Sequence, residues 1–154
     1  MATCYRLLQV LLACAAAPVL ACSDNGAGPN GNGTVTAKID GASWEATAEV
    51  QATYISFVLS IGGLDSQARQ IVISIPNVEV TGTFSFAGAQ AAVGVVTFGA
   101  QSWSTAIAGG GGTVTISTLS GSHAVGVFNF TAPASTGGAT GTKSVTSGTF
   151  DVRY

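Results

Sequence analysis

Charge is scarce in this chain. Five Lys or Arg and seven Asp or Glu are spread over 154 residues, so no basic stripe exists to neutralise a phosphate backbone, which excludes nucleic acid as a partner. The three cysteines, Cys4, Cys14 and Cys22, all sit near the start. Nothing after them can form a disulfide or offer a thiolate to zinc, so the rest of the chain must be stable on core packing alone. A sustained helical face is missing too: no segment keeps a 3.6-residue apolar period. The apolar run at the start, residues 7–21, falls short of the roughly 20 residues a helix needs to cross a bilayer. Pro18 would interrupt such a helix near its end.

What is present at the start is an export signal. Arg6 gives a short basic start, residues 7–21 an apolar run, and Ala21 a small residue at the cut. The segment Val19-Leu20-Ala21-Cys22 resembles the bacterial lipobox, in which the cysteine after the cut takes up a diacylglycerol. Ordinary cleavage after Ala21 is the alternative, but it leaves one unpaired thiol on a secreted chain. Cys14 could compete for the lipid, although it lies too early and would shorten the apolar run. The expectation is therefore a signal peptide over 1–21 and a lipidated Cys22. Removing residues 1–21 takes away Arg6 and no acid, leaving four basic residues against seven acidic ones. Attachment to a membrane must then come from the acyl chains rather than from charge.

Residues 22–33 form the lipidated cysteine and a Gly/Asn-rich tether, Ser23-Asp24-Asn25-Gly26-Ala27-Gly28-Pro29-Asn30-Gly31-Asn32-Gly33, which cannot bury a core. Asp24 is its one carboxylate, too few for a calcium loop. Residues 34–154 are enough for one core, and the expectation is a single β domain.

From Thr34 onward the period is two. Val35, Ala37 and Ile39 alternate with polar residues. The same alternation appears in 54–61, 71–75, 113–118, 127–132 and 150–154, as strands with one buried and one wet face require. Asp40-Gly41, Gly62-Gly63, Pro76-Asn77, Thr81-Gly82, Gly109 to Gly112, Ser120-Gly121 and Pro133 through Gly141 read as turns. The pattern predicts an all-β fold, an antiparallel sandwich or a small closed or nearly closed barrel of about eight to ten strands. Ile55, Phe57, Leu59, Ile71, Ile73, Ile75, Val114, Ile116, Phe128, Phe130, Phe150 and Val152 should face inward, with Tyr54 and Val72 facing the other way. The wet faces carry Thr, Ser, Gly and Ala, so few charges guard the sheet edges. Closure of the barrel or loops over its edges would remove that hazard. A Gly-x-Phe pattern recurs at Gly82, Gly126 and Gly148. It reads as a glycine bend before two core residues on one face.

Asp40-Gly41-Ala42-Ser43-Trp44, Gly112-Thr113-Val114-Thr115-Ile116, Gly126 to Ala132 and Gly148-Thr149-Phe150-Asp151-Val152 together resemble a group of small bacterial lipoproteins. That group carries an all-β domain of unknown function with a Gly-x-x-Trp opening and Gly-x-Phe closing strands. The resemblance implies surface display, and it transfers no catalytic residue.

The chemistry-bearing residues are few. His123 is the one histidine and reads as a turn residue. Ser122 would point to the opposite strand face, so no nucleophile–base pair forms between them. Glu45 and Glu49 on one strand would lie roughly 13 Å apart at 3.3 Å per residue, too far for paired-carboxylate glycoside chemistry. Gly109-Gly110-Gly111-Gly112 lacks the Lys-Ser/Thr of a phosphate loop and reads as a hairpin loop. Trp44 and Trp103 are the candidate ligand-binding residues: an exposed indole stacks on a sugar ring, a buried one plugs a barrel end. Trp44 fits the plug better; Trp103, with polar neighbours, fits either. No catalytic residue, metal or cofactor is expected.

These readings lead to an exported, membrane-anchored protein at the outer membrane or cell surface with a non-catalytic binding or scaffolding role. Its partners would be the membrane, through the lipid, and an unidentified envelope or extracellular ligand. A small-barrel carrier of an apolar ligand is the alternative, and a hydrolytic enzyme stands behind it.

Overall fold

A computed structural model describes residues 33–154; the signal peptide expected over 1–21, Cys22 and all but the last residue of the expected tether lie outside the described residues. The described chain is all-β. In order come β1 (Gly33–Ile39), β2 (Ala42–Glu45), β3 (Glu49–Ile55), β4 (Val58–Leu64), β5 (Arg69–Ile75), β6 (Gly82–Ser85), β7 (Val93–Phe98), β8 (Gln101–Ser104), β9 (Gly111–Ser120), β10 (His123–Thr136) and β11 (Thr142–Arg153). All pairs are antiparallel. The main path runs β2-β1-β11-β10-β8-β7-β5-β4-β3, and β9 with β6 branches from β10. The sheet curls into a half-barrel.

The long β10 makes the curl possible. Its first part, from His123 to Thr131, is flanked by β11 and β9, and its last residues, Ala134 and Thr136, pair with β8. One strand thus belongs to both halves of the fold. Pro133, expected to open a turn, lies inside β10; the turn comes at 137–141, where Gly137, Gly138 and Gly141 take positive φ. Strand β3, at the end of the path, lies against β1 and β11. The curl therefore covers that edge by packing rather than by a hydrogen-bonded ladder. Strands β7 and β8 were not visible in the alternation, because Val93-Gly94-Val95-Val96 breaks the period and β8 has only four residues.

The inner faces build one core in which Leu59, Ile71, Ile73, Ile75, Val114, Ile116, Phe128, Phe130, Phe150 and Val152 are all buried, as the period required. Ile55 and Phe57 are corrections: they are 70% and 55% exposed. The stretch 54–61 is two strands joined at Ser56-Phe57, whose φ values of 51° and 64° make a two-residue hairpin turn of the primed kind. The turn resets the phase, so Val50 and Ala52 point in from β3, and Leu59 and Ile61 from β4. Tyr54, expected to face away, packs half-buried against the core, while Val72 is half-buried on the outer face.

A bulge does the same in β11. Phe128 faces Gly148 and Phe130 faces Val145, so two residues, Thr146 and Ser147, stand opposite Asn129. Ser147 takes φ 51°. The extra residue lets Val145, Gly148, Phe150 and Val152 all face inward, although their numbering changes parity. On the wet faces, Thr36–Thr149 and Thr83–Thr115 join hydroxyls across strands at 2.8 Å, the pairing that Thr-rich neighbours provide.

Candidate functional site

Trp44 and Trp103 close one end of the half-barrel from inside. Trp44, on β2, is 3% exposed; its Nε1 donates to the Arg69 carbonyl at 3.1 Å. Gly63 makes room for it, since a Cβ there would come within 2.8 Å of the ring. Trp103, on β8, is 4% exposed and donates through Nε1 to the Thr140 carbonyl at 3.1 Å. Its ring meets Phe98 edge-on at 5.5 Å. Burial leaves neither indole an open face for stacking on a sugar, so an exposed platform is not formed at either position. Of the polar neighbours of Trp103, Gln101 is exposed and Ser102 half-buried, whereas Ser104 and Thr105 are buried with it.

The cations of this end are held by the same aromatics. Lys143 Nζ lies 5.0 Å from the Trp103 centroid and 5.1 Å from Phe98, and it bonds Asp40 Oδ2 at 2.7 Å. The Arg69 guanidinium lies 6.0 Å from the Phe98 centroid, and its Nε bonds Asp65 Oδ2 at 2.6 Å. Each cation is thus shared between a carboxylate and a ring. Burial alone would raise the Asp65 carboxyl, but bonds from the amide and guanidinium of Arg69 and the Gln67 amide outweigh it and hold the group below the usual carboxylate range. Asp40 follows the same logic: burial opposes ionisation, and the Lys143 ammonium and Ser144 amide prevail. These are structural clamps with little left to offer a ligand.

His123 opens β10 beyond the turn at 121–122 and bonds Asp151 Oδ1 at 2.7 Å through Nε2. The remaining acids stay apart from it. Glu45 ends β2 and Glu49 begins β3, so they do not share the continuous strand assumed for them. Among the described residues, no group of three or more His, Cys, Asp or Glu is placed to hold a metal ion.

The glycine run, expected as a hairpin loop, instead carries the chain from β8 to β9, strands that do not pair with each other. A Cβ at Gly110 would meet the Thr105 carbonyl oxygen at 2.3 Å. One at Gly112 would meet the Asn129 carbonyl oxygen at 2.2 Å, so only glycine lets these backbones approach. On one side of the run lies a groove of about 430 Å³ between residues 86–93 and 105–110. Phe86, Ala92 and Thr105 form its buried floor, and Val93 and Ile107 its exposed apolar rim. Thr105 is locked there, its amide donating to the Gly94 carbonyl and its Oγ1 accepting from the Gly94 amide. On the other side a groove of about 300 Å³ runs past Asn129, Thr131, Ser144 and Thr146. Neither groove has a charged lining residue. Sequence reading missed both, because each is lined by segments that are separate in the chain; the glycine run was their one visible signal.

Residues 31–152 match a domain of unknown function, DUF6252. The chain belongs to the DUF6252 family. The matched span takes in all of the described fold except its last two residues, so the DUF6252 unit and the folded unit coincide. No curated protein and no solved structure matches the chain. Within the DUF6252 domain, two uncharged grooves of ligand-sized volume flank Gly109–Gly112.

Proposed function

We propose that the chain is exported, lipidated on Cys22 and held at the cell envelope, most reasonably the outer membrane or cell surface, as a non-catalytic binding or scaffolding domain. The observation that carries this reading is where the domain begins. Gly33 is already paired with Val152 in β1–β11, so only the ten Gly/Asn-rich residues 23–32 separate Cys22 from the fold. Supporting it, the ionic contacts pair off at separate places, Asp65 with Arg69, Asp40 with Lys143 and Asp151 with His123, whereas catalysis needs titratable groups that converge. The interior an apolar-ligand carrier would need is filled by the rings of Phe86, Phe128, Phe130 and Phe150. Binding is then left to the uncharged grooves beside the glycine run, which suit a neutral ligand or partner.

The test is intact-mass spectrometry and palmitate-analogue labelling of the protein from its own membranes. The wild type should begin at Cys22 and carry lipid, and Cys22→Ala should leave an unprocessed or poorly anchored product. An unmodified, soluble mature chain from wild-type cells would refute the anchor.

A further inference from the structure

The three most exposed large apolar side chains among the described residues gather at one corner. Ile55 is 70% exposed, Phe57 55% and Val80 70%. Ile55 and Phe57 flank or form the β3–β4 turn, and Val80 lies in the segment bound to it. The Val78 amide donates to the Phe57 carbonyl at 2.8 Å, and the Tyr54 hydroxyl donates to the Val78 carbonyl. The three side chains are therefore carried by two turns fastened to each other. Phe57 also sits at φ 64°, a conformation that is unusual and strained for a bulky residue. Glycine would suit that turn position far better. More than half of the aromatic side chain of Phe57 is nevertheless left exposed.

This corner is also where the chain enters the fold. The ring of Tyr54, next to Ile55, lies 5.3 Å from that of Tyr154. Val152, two residues before Tyr154, pairs with Gly33. The tether and the apolar corner thus leave the domain at the same end. A Gly-rich tether of ten residues has a reach of about 16–19 Å, comparable to the length of a single seven-residue strand. An anchor at Cys22 would hold this end of the domain next to lipid.

We propose that Ile55, Phe57 and Val80 form a membrane-contacting tip that enters the headgroup region of the bilayer holding the lipidated chain. The inference rests on the lipid anchor proposed above and adds an orientation: the β3–β4 tip faces the membrane, and the β4–β5 turn at Ser66 faces away. The charged and titratable groups at this end are Glu79, His123, Asp151 and Arg153, with His123 already bonded to Asp151, and the phenols of Tyr54 and Tyr154. They give no basic cluster, so contact is driven by apolar burial and should not depend on anionic lipid.

The experiment uses the mature lipidated protein, its lipid verified by intact mass, reconstituted in phosphatidylcholine vesicles. An environment-sensitive fluorophore is placed on Ser56→Cys, or on Ser66→Cys at the opposite end, since lipid occupies the Cys22 thiol. The Ser56 probe should be quenched several-fold more by nitroxide-bearing lipid than the Ser66 probe, and should be shielded from iodide. Adding anionic lipid should change neither result. The triple change Ile55→Ser, Phe57→Ser and Val80→Ser should abolish the difference while lipidation and the thermal melt persist. A lipidated protein whose Ser56 probe stays as water-exposed as the Ser66 probe overturns the tip and leaves the anchor standing. A mass without lipid overturns both. Shielding of the Ser56 probe that persists in vesicle-free detergent, together with Ser56–Ser56 cross-links, would assign the corner to a second copy of the chain and overturn the membrane contact.

Discussion

Phe128 lies directly across from Gly148, and its ring occupies the space a Cβ on that glycine would need, 2.5 Å away. The relationship is reciprocal: Phe150 faces Gly126, and a Cβ at Gly126 would come within 2.5 Å of the Phe150 ring. Two antiparallel neighbours each carry Gly-x-Phe, and in this register each ring covers the other strand's glycine, with the two rings stacked at 6.5 Å. The repeat is a pairing device rather than the bend expected of it. The third copy does not take part, because Gly82 faces Ile116 and has open space around it.

Phe128→Ala should cost about 3–5 kcal/mol, as a buried ring is replaced by a cavity. Gly148→Ala should cost about 1–3 kcal/mol from overpacking. The double variant should lose less than the sum, because truncating the ring removes part of the clash. Thr115→Ala, which breaks only a surface hydroxyl pair with Thr83, should stay within about 0.5 kcal/mol. Urea melts of the four variants measure this, and additivity of the first two would show that ring and glycine do not interact.

Replacing Ser56-Phe57 by Asn-Gly should raise stability by about 1 kcal/mol, since it relieves two positive-φ positions in the turn. A rise in melting temperature supports the strained turn. A fall would show that Phe57 contributes to folding through contacts of its own.

Acid should weaken the domain through Asp40 and Asp65. Both carboxyls are held below their usual value in the fold, so the folded state binds fewer protons than the unfolded chain. Their contribution is fully present above roughly pH 4, the ordinary value of an unfolded carboxyl. It is lost as pH falls through the depressed folded values. Asp65→Asn should lower stability at neutral pH and flatten the decline below pH 4. Melts from neutral to strongly acidic pH compare the two slopes, and parallel curves would deny Asp65 this role.

Both indoles should resist aqueous quenchers in the native state and become accessible on unfolding, as their burial requires. Lys143→Met should keep the stem's packing while removing the charge held over Trp103 and Phe98, at a cost of about 0.5–1 kcal/mol. Iodide quenching and denaturant melts test these together. Free quenching of the native protein would mean that an indole is open to ligand after all.

The all-β class, most of the inward set and the poverty of charge follow from the chain's local pattern. Alternation with period two depends only on neighbouring residues, so Ile71-Ile73-Ile75 and Phe128-Phe130 could be assigned a face by reading along the strand. The turn at Ser56-Phe57 and the bulge at Ser147 could not, because neither carries the usual glycine or asparagine signal. They are imposed by the partners that must be satisfied on either side: β4 against β5, and β11 between β1 and β10. The burial of Trp103 was likewise decided by β10, whose far end brings Thr140 and Lys143 to a strand nearly forty residues earlier. The same holds for the two grooves and for the meeting of Tyr54 with Tyr154 beside the β3–β4 tip. Each is a contact between segments distant in sequence, and such contacts exist only once the sheet has curled.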